Sequence, residues 1–397
     1  MRLWHRGIDG VQAFYANGLL RSLSLSMMTI FVPVFVYLQG MKEWGQLNYA
    51  LLLVVGYYVL QRTIVAVVVF PISKLIEKIG FRKSITLSVM ALIGFIFSLY
   101  LAEHDLRWLG LAVLCEALNI PLYWVSRDSA LSQDIPGGKM GNKMGLIVVL
   151  ENIAGLLGPF AGGAIVLLFG YSTLFMAVLA LLGVSAIPLW WMPPHTHRNG
   201  VSLRGFVGFV KNGRYLHQVM ANFGCALSDY GNGLIWPLIL FLQGINHEAL
   251  GAIYSAAAVV TIGVQYLSSS WFDRLRSRKD YTDEGVYGFA TIWMTVIWIV
   301  RIFVRGIGQV LPLDMARQLF GTIHNNFYID YLHLGGKRMG SIAFWVYMEV
   351  IYSVGVIFIF GVMAVGIYLG NWRELVLITI ALWSLVTIVI ARESNMR

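Results

Sequence analysis

The sequence predicts an all-α membrane protein of twelve transmembrane helices, arranged as two pseudo-symmetric six-helix bundles. Three observations predict it: the hydropathy, the division into twelve apolar stretches, and a repeat between the halves. Of the 397 residues, 58% are hydrophobic and only 12% are charged. A soluble domain carries roughly twice that charged fraction, so an ordinary soluble globular protein is excluded.

A helix crossing the hydrocarbon core needs about 20 mainly apolar residues. The stretches that qualify are 13–39, 48–72, 84–102, 108–132, 144–169, 171–192, 217–242, 249–272, 286–306, 311–332, 339–368 and 372–391. Irregular backbone cannot face lipid, so each is expected to be helical. Met1 to Gly10 is polar and basic, and the apolar run after it is too long for the ~7–15-residue core of a signal peptide. That run is read as the first span. Most connections are short. The exception is 193–216, which opens on two prolines and carries Arg198, Arg204, Lys211 and Arg214. It divides a first half, 1–192, from a second, 217–397, and its stretch from Ser202 to Lys211 has the pattern of a basic amphipathic helix lying on the membrane surface.

The net charge of +9 is unevenly placed. The two ends, the central linker and the 2–3, 4–5, 8–9 and 10–11 connections hold 20 of the 29 Lys and Arg residues. The opposite connections hold Lys42, Arg107, Arg305 and Arg373, and five more lie near or within spans. The positive-inside rule then predicts cytoplasmic termini in a multi-pass protein of a plasma or inner membrane. It also accounts for the basic charge without nucleic acid as a partner. The two cysteines, Cys115 and Cys225, sit inside apolar helices, which excludes a disulfide framework and cysteine-based zinc sites. No phosphate-binding loop or HExxH motif occurs, and the pair His195 and His197 lacks a third ligand. No metal, no cofactor and no enzymatic activity are expected. Transport work would draw on a gradient or on a nucleotide-binding partner chain.

The halves repeat. The first span ends Pro33-Val-Phe-Val-Tyr-Leu-Gln39-Gly40 and the seventh ends Pro237-Leu-Ile-Leu-Phe-Leu-Gln243-Gly244, an offset of 204. Gly137-Gly138-Lys139 and Gly335-Gly336-Lys337 are offset by 198, and the same offset pairs Glu116 with Asp314 and Glu151 with Glu349. Several matches at nearly one offset argue for a duplicated architecture.

After span 2 the chain reads Ser73-Lys-Leu-Ile-Glu77-Lys78-Ile-Gly80-Phe-Arg82-Lys83, and after span 8 Ser269-Ser-Trp-Phe-Asp273-Arg274-Leu-Arg276-Ser-Arg278-Lys279. Both resemble the signature GxxxDRxGxRK of the major facilitator transporters, with Ser for the first glycine in each copy, Glu-Lys for Asp-Arg in the first, and Arg276 for the second glycine in the second. The resemblance implies two six-helix bundles around a central site, alternating access, a monomer, and gates at these two loops. A carboxylate near a helix N-terminus beside a guanidinium can be made and broken as the halves rock. The bland alternative is a pair of solvated basic loops. Span 5 carries Gly145, Ala154, Gly158-Pro159 and Gly162-Gly163, which is similar to the family's antiporter motif, with Ala154 in place of one glycine. In the family that motif goes with proton-coupled export. Its plain physical reading is a bend with close helix packing.

Charges inside a membrane are costly and are functional candidates by default. Asp229, mid-way along span 7, is the first candidate for a proton or cation site, and its rival reading is a structural partner for an arginine. Glu116 in span 4 is a candidate for substrate or coupling. Its symmetry mate Asp314, near the outer surface, has Arg317 and Arg305 as candidate partners. Arg62, mid-span in the second helix, calls for a carboxylate partner or an anion. Arg21, in the first span, is a candidate for substrate contact or snorkels to the surface. Arg127, Asp128 and Glu151 are read as a charged scaffold between spans 4, 5 and the first gate. Glu349 is placed with them, although Asn325 and Asn326 occupy the matching sites of span 10 and leave it other partners.

These readings give a secondary active transporter for a small solute, coupled to protons or another ion, with export by antiport first. A facilitator or uptake symporter is the rival, and a non-transporting sensor or scaffold of the same fold is the alternative from another class. The arginines hint at an anionic solute and the acids at a cation or proton.

Overall fold

The computed structural model describes residues 10–133, 140–191, 200–276, 283–339 and 341–387. Helices α1 (Gly10–Met28) and α2 (Val32–Trp44) make the first span. Helices α3 (Leu47–Ile79), α4 (Phe81–Ala102) and α5 (Trp108–Gln133) make the next three. Helix α6 (Met140–Ser185) holds the fifth and sixth, divided at Gly170, whose backbone is non-helical (φ 82°, ψ 177°). The linker contributes α7 (Leu203–Lys211). Helices α8 (Leu216–Tyr230) and α9 (Trp236–Leu242) make the seventh span, joined by a π-helical turn over Gly231–Ile235. Then follow α10 (His247–Arg276), α11 (Asp283–Val300), α12 (Ile307–Met339), α13 (Ser341–Leu369) and α14 (Trp372–Val386).

Among the described residues, eight helical segments are long and apolar enough to cross a bilayer. One of them, Glu151–Trp191, is two spans split at Gly170; α11, α12 and α14 complete the twelve. The duplication shows in the packing. Span 2 packs on span 11 (α3 on α13) and span 5 packs on span 8 (α6 on α10). Exchanging the halves turns the first contact into the second.

The seam between α6 and its neighbours depends on small residues. A Cβ at Gly158 would strike Ser26 and the Met27 backbone, one at Gly162 would strike the Met27 carbonyl, and one at Gly163 would lie 2.5 Å from the His247 carbonyl. Lipid tails supply no hydrophobic drive for helices to associate, so such close backbone approach carries much of the packing energy. Helix α6 keeps helical angles through Pro159. The neighbouring Phe160 N–H donates to Ser255 Oγ of α10 at 3.0 Å, which is how a proline is tolerated within a membrane helix.

Both spans that repeat in sequence are interrupted at the same place. Pro33 sits in the first turn of α2, after the break at 29–31, and Pro237 sits in the first turn of α9, after the π turn. Proline fits there because its missing N–H would have no intrahelical partner. The two segments beyond the breaks meet: Tyr37 packs edge-on against Phe241 at 6.4 Å. This contact closes the side of the molecule opposite the linker.

Several boundaries differ from the sequence reading; α12 runs to Met339, seven residues past the expected end at 332, so Gly335-Gly336-Lys337 lie on a helix, and two more bear on named residues. Helix α3 runs seven residues past the expected end at 72, so Ser73, Glu77 and Lys78 lie on a helix rather than in a loop. Ser73 and Ile76 are buried one turn apart, so packing carries the helix on beyond the apolar run. It stops at Gly80, whose φ of +82° makes a one-residue turn into α4. Span 9 was expected to reach 306 but α11 ends at Val300. The apolar residues Ile302, Phe303 and Val304 extend the hydropathy beyond the helix. The amphipathic linker helix forms as expected: Ser202 caps α7 by accepting from Gly205 N–H at 3.0 Å. Leu203, Val207 and Val210 stay exposed, while Phe206 packs on Phe70 of α3 and Tyr347 of α13.

Candidate functional site between the two halves

The centre of the molecule is an aromatic layer above a set of buried charges. Tyr58 of α3 stacks on Phe360 of α13 at 5.0 Å, and Tyr230 of α8 lies edge-on to both. Directly on the linker side of this layer is Arg62. Its Nε donates to Tyr230 Oη at 2.6 Å and its Nη1 to Glu349 Oε1 at 2.7 Å. Its guanidinium also lies 4.9 Å from the Tyr230 ring and 5.1 Å from the Tyr352 ring. The carboxylate that Arg62 calls for is therefore Glu349, and the pair joins one half to the other. Glu349 was expected in the scaffold with Arg127, Asp128 and Glu151; its ion pair is instead with Arg62, because α3 packs along α13.

Two adjoining cavities lie below, of about 450 Å³ and about 300 Å³. Both are lined by Asp229, Cys225, Glu151 and Asn325. The larger reaches Arg62, Arg127, Asp128 and Glu349; the smaller reaches Asn152, Thr261, Arg317 and His324. Arg127 Nη2 pairs with Glu151 Oε1 at 2.6 Å and its guanidinium covers the Trp124 ring. Asp229 is exposed to this space. Its Oδ2 accepts from Tyr352 Oη at 3.0 Å and from Cys225 Sγ at 3.4 Å, and no cation pairs with it among the described residues.

The π turn begins two residues after Asp229. A Cβ at Gly231 would collide with Trp298 and Ile380, so the wide turn forms against them. Tyr254 Oη donates to the Asn232 carbonyl at 2.6 Å and keeps this turn satisfied. Such turns recur at functional sites because they change which side chains a helix presents.

Three expected site residues stand apart from the cavities. Glu116 accepts from Tyr57 Oη at 3.2 Å within the first half. Arg21 is buried, donating to Asn119 Oδ1 at 2.8 Å with its guanidinium 3.7 Å from the Tyr123 ring. Asp314 pairs with neither Arg317 nor Arg305. Its partner is Arg301, at 2.5 Å, and its other oxygen accepts from Trp236 Nε1 at 3.1 Å. Arg301 is itself buried between the Trp236 and Trp298 rings and donates to Asn232 Oδ1 at 2.7 Å. The sequence reading did not single out Arg301, although an arginine between Val300 and Ile302 is the signal that exposed Arg62. Of the gate residues, Ser73 is buried and bonded to the Phe70 carbonyl, while Lys78, Arg82 and Lys83 stand at the α3–α4 turn. Arg278 and Lys279 lie outside the described residues, as do His195 and His197; Gly145, Asp273 and Arg274 lie on helices whose side chains there are not described.

Comparison with known proteins fits this architecture. Three solved structures superpose over nearly the whole chain. The fucose:proton symporter of E. coli is 13% identical with a TM-score of 0.65, over 96% of this chain and 97% of that one. The human organic anion transporter MFSD10 is 13% identical with a TM-score of 0.66, over 96% and 98%. A POT family transporter in complex with 5-aminolevulinic acid is 10% identical with a TM-score of 0.72, over 98% and 96%. Likeness at such identity speaks for the fold. A search among curated proteins gives no match. The sequence itself matches the Major Facilitator Superfamily over residues 14–300, and with twelve spans, a duplicated packing and a polar centre between the halves, the chain belongs to that family of membrane transporters.

Proposed function

We propose that the protein is a proton-coupled secondary transporter that carries a small polar solute by alternating access, with Asp229 as the coupling group and export by antiport as the direction. The observation that carries this reading is the setting of Asp229. It opens onto the cavities between the halves and is held by a phenol and a thiol rather than by a cation. A proton can enter or leave such a carboxyl without breaking an ion pair. Arg62–Glu349 and Arg127–Glu151, by contrast, are already paired. They serve as cross-half latch and scaffold.

The moving units are the halves 1–192 and 217–397, joined by the linker 193–216, whose side faces the cytoplasm together with both termini. Opening the far side requires Tyr37 to leave Phe241 and the aromatic layer to part. Protonation of Asp229 biases this equilibrium, and a group bound in one state only shifts the populations by its differential affinity. The antiport direction rests on the resemblance of the Gly158–Gly163 segment to the family's antiporter motif, supported by its close seats on α1 and α10. The protein acts as a monomer in the bilayer, without a cofactor. That one structurally similar protein is a proton symporter keeps coupled uptake as the second reading.

The test is the melting temperature of the purified protein in detergent, against sugars, amino acids, organic anions and lipophilic cations, each at a mildly acidic and a mildly alkaline pH. A ligand that binds only the folded state raises it. One class should stabilise in a pH-dependent manner, and Asp229→Asn should remove the pH dependence. Unchanged pH-driven flux by the Asp229→Asn protein in vesicles overturns the coupling assignment.

A further inference from the structure

The smaller cavity is lined by two opposite charges that make no ion pair among the described residues. Asp229 enters from α8, with hydroxyl and thiol donors among the described residues. Arg317 enters from α12 and makes no ion pair among the described residues. The acid one turn before it, Asp314, is engaged by Arg301. Gly321, one turn further on, leaves space beside Arg317: a Cβ there would come within 3.9 Å of Nη1. Two neutral polar atoms in the same wall are buried without a partner, Asn152 Nδ2 and Thr261 Oγ1. A buried polar atom is costly when nothing bonds to it, and here the unbonded groups converge on one space.

Resting on the transporter reading above, we propose that the solute is a small zwitterion, carrying both a carboxylate and an ammonium group, with the carboxylate on Arg317 and the ammonium on Asp229. A guanidinium matches a carboxylate with two parallel hydrogen bonds, and Asn152 and Thr261 supply neutral partners. An apolar solute would strand these groups. A plain anion would leave Asp229 facing a like charge, and a plain cation would do the same to Arg317. A cavity of about 300 Å³ is at the small end of solute sites.

The same arrangement gives the exchange a physical basis. The other titratable and charged groups around the paired cavities are Cys225 of α8, His324 and Tyr328 of α12, Tyr352 and Glu349 of α13, Arg62 of α3, Arg127 and Asp128 of α5, and Glu151 of α6. Glu349, Arg62, Arg127 and Glu151 are in ion pairs and Asp128 sits beside Arg127 in the same charged scaffold, so Asp229 carries the exchange. A proton on Asp229 removes the counter-charge of the ammonium group. Proton and solute therefore compete for one carboxylate, and each cycle exports a neutral molecule and admits one positive charge.

The experiment measures binding by calorimetry to the purified full-length protein. The probes are the common amino acids and ε-aminocaproate, each beside its deaminated acid and its decarboxylated amine. At least one zwitterion should bind about tenfold or more tightly than both of its single-charge relatives, the equivalent of one charge-assisted hydrogen bond. Arg317→Gln should erase the advantage over the amine, and Asp229→Asn the advantage over the acid. Arg317→Lys keeps the charge in case the glutamine variant does not fold, and it should narrow the same advantage. An acid or amine that binds as tightly as its parent zwitterion overturns the proposal, and so does the absence of binding by every zwitterion. The transporter reading is tested separately by pH-driven distance changes between the halves, which need no solute. If those persist while zwitterions fail, only the solute class falls.

Discussion

Glu349→Gln removes one member of a buried ion pair and leaves Arg62 behind. The two side chains are 7% and 14% exposed and meet at 2.7 Å. Breaking a buried pair by deleting one partner typically costs about 3–5 kcal/mol, because the surviving charge is left uncompensated. Arg62 keeps its bond to Tyr230 and two aromatic faces, each face worth about 0.5–2 kcal/mol. The expected loss is therefore at the lower end, about 3 kcal/mol. Arg62→Gln leaves Glu349 with no cation, and the loss should be larger, about 4 kcal/mol. The double variant replaces both charges with amides that can bond to each other. It should lose about 3 kcal/mol less than the sum of the singles. The assay is equilibrium unfolding in mixed micelles titrated with dodecyl sulfate and followed by far-ultraviolet circular dichroism. Additive losses, or single variants within about 0.5 kcal/mol of the parent, would refute the claim that this pair latches the halves.

Further outcomes follow from other contacts. Asp314→Asn strands Arg301 inside the second half. It should cost about 3–5 kcal/mol in the same unfolding assay while leaving the pH dependence of transport in place, since the pair does not join the halves. Gly162→Ala drives a methyl group into the Met27 backbone carbonyl, and the melting temperature of the purified protein should fall. Gly155→Ala, on the same helix with nothing within 4 Å, should be neutral or stabilise by up to about 1 kcal/mol. Equal effects of the two would show that the α1–α6 seam is not closely packed.

The twelve spans and the duplication were legible because hydropathy is local and the repeats are short strings. Pro33 and Pro237 were read only as part of the repeat, although they stand where spans 1 and 7 are interrupted, since proline seldom sits inside a helix that is not broken or repaired nearby. The individual charges were legible too, because an arginine or acid in an apolar run stands out. Their partners were not. Arg62 and Glu349 are 287 residues apart, and their meeting depends on which face of α3 lies on α13. The offset of 198 set Glu349 beside Glu151 as a symmetry mate and so pointed towards the scaffold rather than across the halves. Arg301 and Asp314 are only 13 residues apart. That pairing stayed hidden because the expected span ran to 306, past the real helix end at Val300. The tyrosines that hold Asp229 and Arg62 left no sequence signal among 19 tyrosines.

The central claim is that the halves exchange between two states under the control of Asp229. Spin labels at Leu47 and Tyr368, both exposed at helix ends opposite the linker, would report the separation of the halves by pulsed electron resonance in lipid nanodiscs. Two distance populations should appear, their ratio shifting with pH in the parent and fixed in the Asp229→Asn protein. A single population at every pH, or a pH shift that survives Asp229→Asn unchanged, would contradict the account.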